Sequence, residues 1–117
     1  MQSLNLADAL ARVGGDRELL VELIAILRSE AQRLTGDIRT GLEKGDAQGV
    51  EAAAHALRGA VASLGASAAT EAAGLLELAA RGGDVSRASH LCDGLERELR
   101  QLLNDLSTVS LNAPCES

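Results

Sequence analysis

The sequence predicts an all-α protein: an antiparallel up-down-up-down four-helix bundle with a short extra helix at its N-terminus. Three observations carry that expectation. Of the 117 residues, 46% are hydrophobic, yet Phe, Tyr and Trp are all missing, so the core must be built from Leu, Val, Ile and Ala. Ala and Leu are strong helix formers, and the β-branched residues that favour strands are few. The single proline, Pro114, leaves the preceding chain free of the main helix breaker. A chain of this length suits one compact domain.

The helices are delimited by a recurring dipeptide. Gly-Asp stands at Gly15-Asp16, Gly45-Asp46 and Gly83-Asp84. Glycine suits the left-handed position after a helix, and aspartate accepts from the exposed N–H groups that open the next one. A fourth break is Gly65-Ala66-Ser67, where Ser67 is the expected cap.

These breaks give one short and four long segments. The short helix is expected over about 4–12. The second covers 17–43, with Leu20, Leu23, Ile24, Leu27, Ala31, Leu34, Ile38 and Leu42 three or four residues apart. Gly36 and Gly41 lower its propensity, so bending or fraying is expected in its second half. The third covers 47–64 and the fourth 67–81. The fifth, 85–107, carries Ala88, Leu91, Cys92, Leu95, Leu99, Leu102, Leu103 and Leu106 on one stripe. Short connections force consecutive helices antiparallel. The domain is thus assigned to residues 1–108, and 109–117 to a polar, flexible tail.

Composition also excludes function classes. The formal net charge is −6, with no basic patch and no aromatic stacking residue, which argues against nucleic-acid binding. No apolar run approaches the roughly 18 residues needed to span a bilayer, so no direct membrane contact is expected. MQSLNLADALAR lacks the basic and long apolar regions of a signal peptide. A cytoplasmic monomer is expected. Cys92 and Cys115 are too far apart for a CxxC motif. Cys92 falls on the apolar stripe and reads as a small core hydrophobe.

One segment of the third helix departs from this pattern: AAAHALRGAVASLGA, residues 52–66. On a helical wheel with His55 at zero, Val50, Ala53, Ala54, Leu57, Ala60, Val61 and Leu64 fall between roughly 140° and 260°. That arc is the core face, and His55 points away from it. Within roughly 60° of His55 lie Gln48, Glu51, Ala52, Arg58, Gly59 and Ala62. A solvated helix face ordinarily carries long polar side chains. Here Ala52, Gly59 and Ala62 clear a patch around an exposed imidazole, as a docking surface would. Glycine in mid-helix costs about 1 kcal/mol relative to alanine, and it removes a Cβ where another backbone could approach.

Other chemistries lack their residues. His90 is the only other histidine and has no ligand-type spacing to His55, so no metal site is expected. No inward-facing carboxylate cluster suggests a hydrolase, and no Gly-rich loop suggests an ATP site.

The segment AHALRGAVASLGA resembles the signature of the histidine-containing phosphotransfer (HPt) domain. That signature is a helical His, a basic residue at +3, a glycine at +4 and a Leu-Gly pair near the helix end. His55, Arg58, Gly59 and Leu64-Gly65 match it. VGGDRELLVELIAIL resembles the opening of the family's first long helix, and LEKGDAQGVEAAAH its approach to the histidine. The resemblance spans roughly residues 4–106. One departure is Leu27, where the family often has Phe.

The resemblance implies a phosphorelay intermediate with no cofactor of its own. His55 would accept a phosphoryl group, through Nε2, from the aspartate of a response-regulator receiver domain and pass it to another receiver. The partner receiver would supply Mg²⁺. Arg58, where lysine is more usual, would neutralise the phosphoryl oxygens, and Gly59 would let the receiver approach. Glu77, at a position where some members place a polar residue, would hold the Nδ1–H tautomer. No autonomous catalysis is expected. The chain is read as the C-terminal domain of a hybrid sensor kinase, on the cytoplasmic side if that kinase is membrane-bound. The alternative is a helical docking or scaffold domain that carries no phosphate.

Overall fold

The computed structural model describes residues 6–112, and every regular element in that span is helical. The elements are α1 (Leu6–Arg12), α2 (Arg17–Lys44), α3 (Ala47–Ala62), α4 (Ser67–Arg81) and α5 (Val85–Asn112). Residues 4 and 5 of the expected first helix lie outside the described residues, as do Pro114 and Cys115. Helix α5 continues past the boundary suggested at 108, through Asn112.

Three of the four expected caps are made as aspartate chemistry requires. Asp16, Asp46 and Asp84 each accept at 3.0 Å from the backbone N–H three residues on, at Leu19, Gly49 and Arg87. The glycines before them, Gly15, Gly45 and Gly83, all have positive φ. The fourth cap differs. Helix α3 ends at Ala62 rather than 64, and its last turn closes through the Ala66 N–H on the Val61 carbonyl. That places Ala66, not Ser67, at the N-cap of α4, with no side-chain cap bond. The first turn is held instead by the Ala66 carbonyl, which accepts from both the N–H and the hydroxyl of Thr70.

Gly41 corrects a second expectation. Helix α2 runs unbroken through it, and the residue is buried. A Cβ there would come within 2.7 Å of Val50 Cγ2 and 3.3 Å of the Asp46 carbonyl oxygen. The glycine therefore admits the start of α3 against the end of α2, a packing role rather than a weak point.

The apolar stripes meet in one aliphatic core. Leu20, Ile24 and Ile38 of α2, Val50, Leu57 and Val61 of α3, Leu76 of α4, and Leu95, Leu102 and Leu106 of α5 are almost wholly removed from solvent. Leu23 and Leu42, expected with them, are half-buried, as are Ala60, Leu91 and Leu103. Burying side chains of this kind contributes about 1.5–3 kcal/mol each. Cys92 is fully buried among them, and that burial pushes its thiol up to about 11, which keeps it inert. Each helix from α2 to α5 packs on the next, and α2 also touches α5. Helix α1 lies at the α3–α4 connection: a Cβ on Gly65 would meet Arg12 Nε at 2.7 Å and Asp8 Oδ2 at 2.8 Å. The contact between α3 and α4 is the most extensive in the molecule, and the site is built across it.

Candidate functional site

His55 lies in the middle of α3 with its side chain 65% exposed, as its place on the wheel requires. The small neighbours Ala52, Gly59 and Ala62 are exposed on the same face. A Cβ on Gly59 would touch nothing within 4 Å, so the packing of this chain does not require that glycine.

Beneath the imidazole is the only buried charged residue among the described residues, Glu77 of α4, whose side chain is 4% exposed. An unpaired carboxylate buried to this degree would be strongly unfavourable. Three donors surround it. His55 Nδ1 stands 2.9 Å from Oε2, Arg81 Nη2 donates to the same oxygen at 3.2 Å, and Arg58 Nε approaches Oε1 at 3.2 Å. The Arg58 contact has the distance of an ion pair without the angle of a hydrogen bond, so Oε1 has charge compensation but no hydrogen bond.

The tautomer follows from these contacts. A carboxylate only accepts, so the 2.9 Å contact requires a proton on Nδ1. Arg58 Nη2 also lies 3.3 Å from Nδ1. It cannot donate to a nitrogen that already carries a hydrogen, so this is proximity and not a bond. In the neutral ring, a proton on Nδ1 leaves the lone pair on Nε2, which has no hydrogen-bond partner among the described residues.

Arg81 carries a second bond, from Nε to Glu51 Oε2 at 2.8 Å. Glu51 is one turn before His55 on α3. That bond above all keeps the Arg81 guanidinium still more firmly protonated than usual. A shallow pocket of about 270 Å³ opens beside the cluster, lined by Arg58, Gly74, Leu75, Glu77, Leu78 and Arg81. Leu75 and Leu78 stand exposed on its rim.

The structure thus brings His55, Arg58 and Glu77 into contact and sets Gly59 on the same face. Three participants were not singled out from the sequence: Arg81, the pairing of Glu51 with it, and Gly74, on which the Arg58 stem rests (a Cβ there would lie 3.6 Å from Arg58 Cδ). Spacing sets Arg81 one turn after Glu77 and Glu51 one turn before His55, but their pairing crosses from α4 to α3 and is fixed only by how the two helices pack. No group of three or more His, Cys, Asp and Glu side chains suited to a metal ion occurs among the described residues, and no helix there is long and apolar enough to cross a membrane.

The family model of the Hpt domain matches residues 22–108, a span that includes all of α3 and α4 and most of α2 and α5. No curated protein and no solved structure matches the chain.

Proposed function

The chain belongs to the Hpt domain family, whose members serve phosphorelay histidine phosphotransfer, and from that premise we propose that His55 is the phosphoacceptor and Nε2 its nucleophilic atom. The observation that carries this reading is the 2.9 Å contact between Nδ1 and the buried Glu77 carboxylate, which leaves the lone pair on the other, outward nitrogen. Phosphoryl transfer asks little of a protein beyond an aligned nucleophile and charge neutralisation.

The step is written from the donor. The phosphorus–oxygen bond to the receiver aspartate breaks as the Nε2–phosphorus bond forms, and the aspartate leaves as a carboxylate. The ring keeps its Nδ1 proton and acquires positive charge. Glu77 lies against that proton and compensates the charge. Arg58, 43% exposed and without a hydrogen bond to Glu77, turns to the phosphoryl oxygens. Gly59 leaves space for the receiver backbone. Transfer onward to a second receiver is the reverse step.

The remaining expectations belong to the same reading. Receivers are the partners, and they bring the Mg²⁺. The four long helices form an antiparallel up-down-up-down bundle with α1 across one end. The domain is a cytoplasmic monomer and the C-terminal part of a hybrid sensor kinase.

The test is to mix the chain with labelled phospho-receivers and follow the label. Uptake is expected from a receiver and not from ATP alone. Arg58→Ala should slow uptake at least about tenfold, the scale of one charge-assisted contact worth about 1.5–3 kcal/mol made in the transition state. Gly59→Gln should block docking by bulk while the fold persists, since the position faces open space. Receiver binding without any transfer would establish the scaffold reading instead.

A further inference from the structure

Two arginines flank Glu77, and only Arg58 belongs to the histidine signature. Their anchoring differs. Arg81 makes two hydrogen bonds, to Glu77 Oε2 at 3.2 Å and to Glu51 Oε2 at 2.8 Å, and so bridges α4 to α3. Arg58 has only the unaligned ion pair to Oε1 and a close approach to a protonated Nδ1, a donor facing a donor. One guanidinium is clamped; the other rests in a position from which an arriving anion can draw it.

We propose that Arg81 is a positioning residue for His55: clamped by Glu51, it fixes the Glu77 carboxylate, and through that carboxylate it fixes the Nδ1–H tautomer. The inference deepens the phosphotransfer reading above and rests on it for its consequence, though not for its geometry. The charged groups that face His55 are Glu51 and Arg58 on its own helix and Glu77 and Arg81 on α4. Arg81 Nη2 and His55 Nδ1 share one oxygen. The Glu77 side chain is buried, and Arg81 is the one arginine among the described residues that hydrogen-bonds it, on the oxygen that faces Nδ1. Without that bond the carboxylate is free to turn away from the ring toward water. Such a turn releases Nδ1, and the ring is then free to carry its proton on Nε2, where no lone pair remains for attack.

The experiment reads the ring directly, in the unphosphorylated full chain, by nitrogen-15 NMR of the imidazole. His90, exposed on α5, is the internal control. Wild-type His55 should show the Nδ1–H form. Arg81→Ala should convert it to a mixture of tautomers, leave His90 unaltered, and slow transfer from a phosphorylated receiver on the order of tenfold at unchanged receiver affinity. Arg81→Lys, which keeps a cation in reach, should restore most of both. In a Glu77→Gln background, where no charge needs holding, Arg81→Ala should have no further effect on the ring. Should the alanine variant fail to fold, Arg81→Gln is measured in its place with the same expectation. An Arg81→Ala ring spectrum identical to wild type, or an equal loss in the Glu77→Gln background, overturns the assignment. Because the spectrum requires no receiver, this outcome is separate from a failure of the wild-type chain to take up phosphate, which would overturn the phosphotransfer reading alone.

Discussion

Two faces of the molecule carry arginine–carboxylate clusters between paired helices, and they are built differently. Across α2 and α5, Arg39 donates to Glu96 at 2.6 and 3.0 Å and to Asp93 at 2.9 Å. Its carboxylates stay in contact with solvent, Asp93 at 57% exposure and Glu96 at 26%. Across α3 and α4 the same residue types surround a carboxylate that is 4% exposed and touches a histidine. The first arrangement is a strap, and solvent screens most of its worth. The second holds a charge out of water, which is tolerated because His55 and Arg81 meet one oxygen and the Arg58 charge lies against the other. Composition does not separate the two. Burial of one carboxylate, and a titratable ring above it, does.

The most damaging way to probe the comparison is to strike the core beneath the α3–α4 face. Leu57→Asp buries an unpaired charge at a fully enclosed position and should unfold the domain, since total stability is only about 5–15 kcal/mol. His55→Gln, two residues away but on the outer face, should leave the thermal midpoint within a few degrees, a shift on the order of 1 kcal/mol or less. Circular dichroism melts of the two variants decide it. Equal damage would make His55 a core residue.

Glycines sharpen the contrast at smaller magnitude. Gly41→Ala forces a Cβ onto Val50, a buried branched side chain with little room to yield, and should destabilise by about 1–3 kcal/mol. Gly59→Ala, in the same helical conformation but facing open space, should instead stabilise by up to about 1 kcal/mol. Urea unfolding midpoints with opposite signs are expected. A Gly59→Ala variant that lost stability would mean the cleared patch serves internal packing and not a partner.

The smallest effect is expected on the α2–α5 strap. The hydrogen bond from Arg39, above all, holds the Asp93 carboxyl below its ordinary value of 3.8. A depressed carboxyl stabilises the fold above the unfolded-state value and loses that contribution as pH falls through the lower, folded one. The stability difference between wild type and Arg39→Ala should therefore stay level from neutral pH to about 4 and shrink below it. A difference that grew with acid would contradict the sign. Phosphate uptake should be unaffected by Arg39→Ala.

Much of this was legible beforehand, for identifiable reasons. The exposed station of His55 follows from the angular period of α3 alone, and three aspartate caps follow from the chemistry of their side chains. Glu77 entered through family resemblance, yet its burial was also open to reading: Ala73, Leu76 and Ala80, all buried, enclose it on the α4 stripe. The clamp by Arg81 and Glu51 was not, because it depends on the register between two helices, which no periodicity within one helix fixes. Ser67 was misplaced for a related reason. The turn at Gly65 closes one residue earlier than the preference of serine for caps suggests, since Ala66 is already committed to the Val61 carbonyl.

The central claim is that one atom, Nε2 of His55, carries the phosphoryl group, and it is tested most directly by locating that group. The chain is incubated with a phosphorylated receiver, quenched in base, and examined by phosphorus-31 NMR and peptide mass spectrometry. The account predicts an acid-labile, base-stable phosphohistidine on the peptide containing His55, substituted at Nε2, and none in His55→Gln. Phosphate on Nδ1, on His90, or persisting in His55→Gln would contradict it.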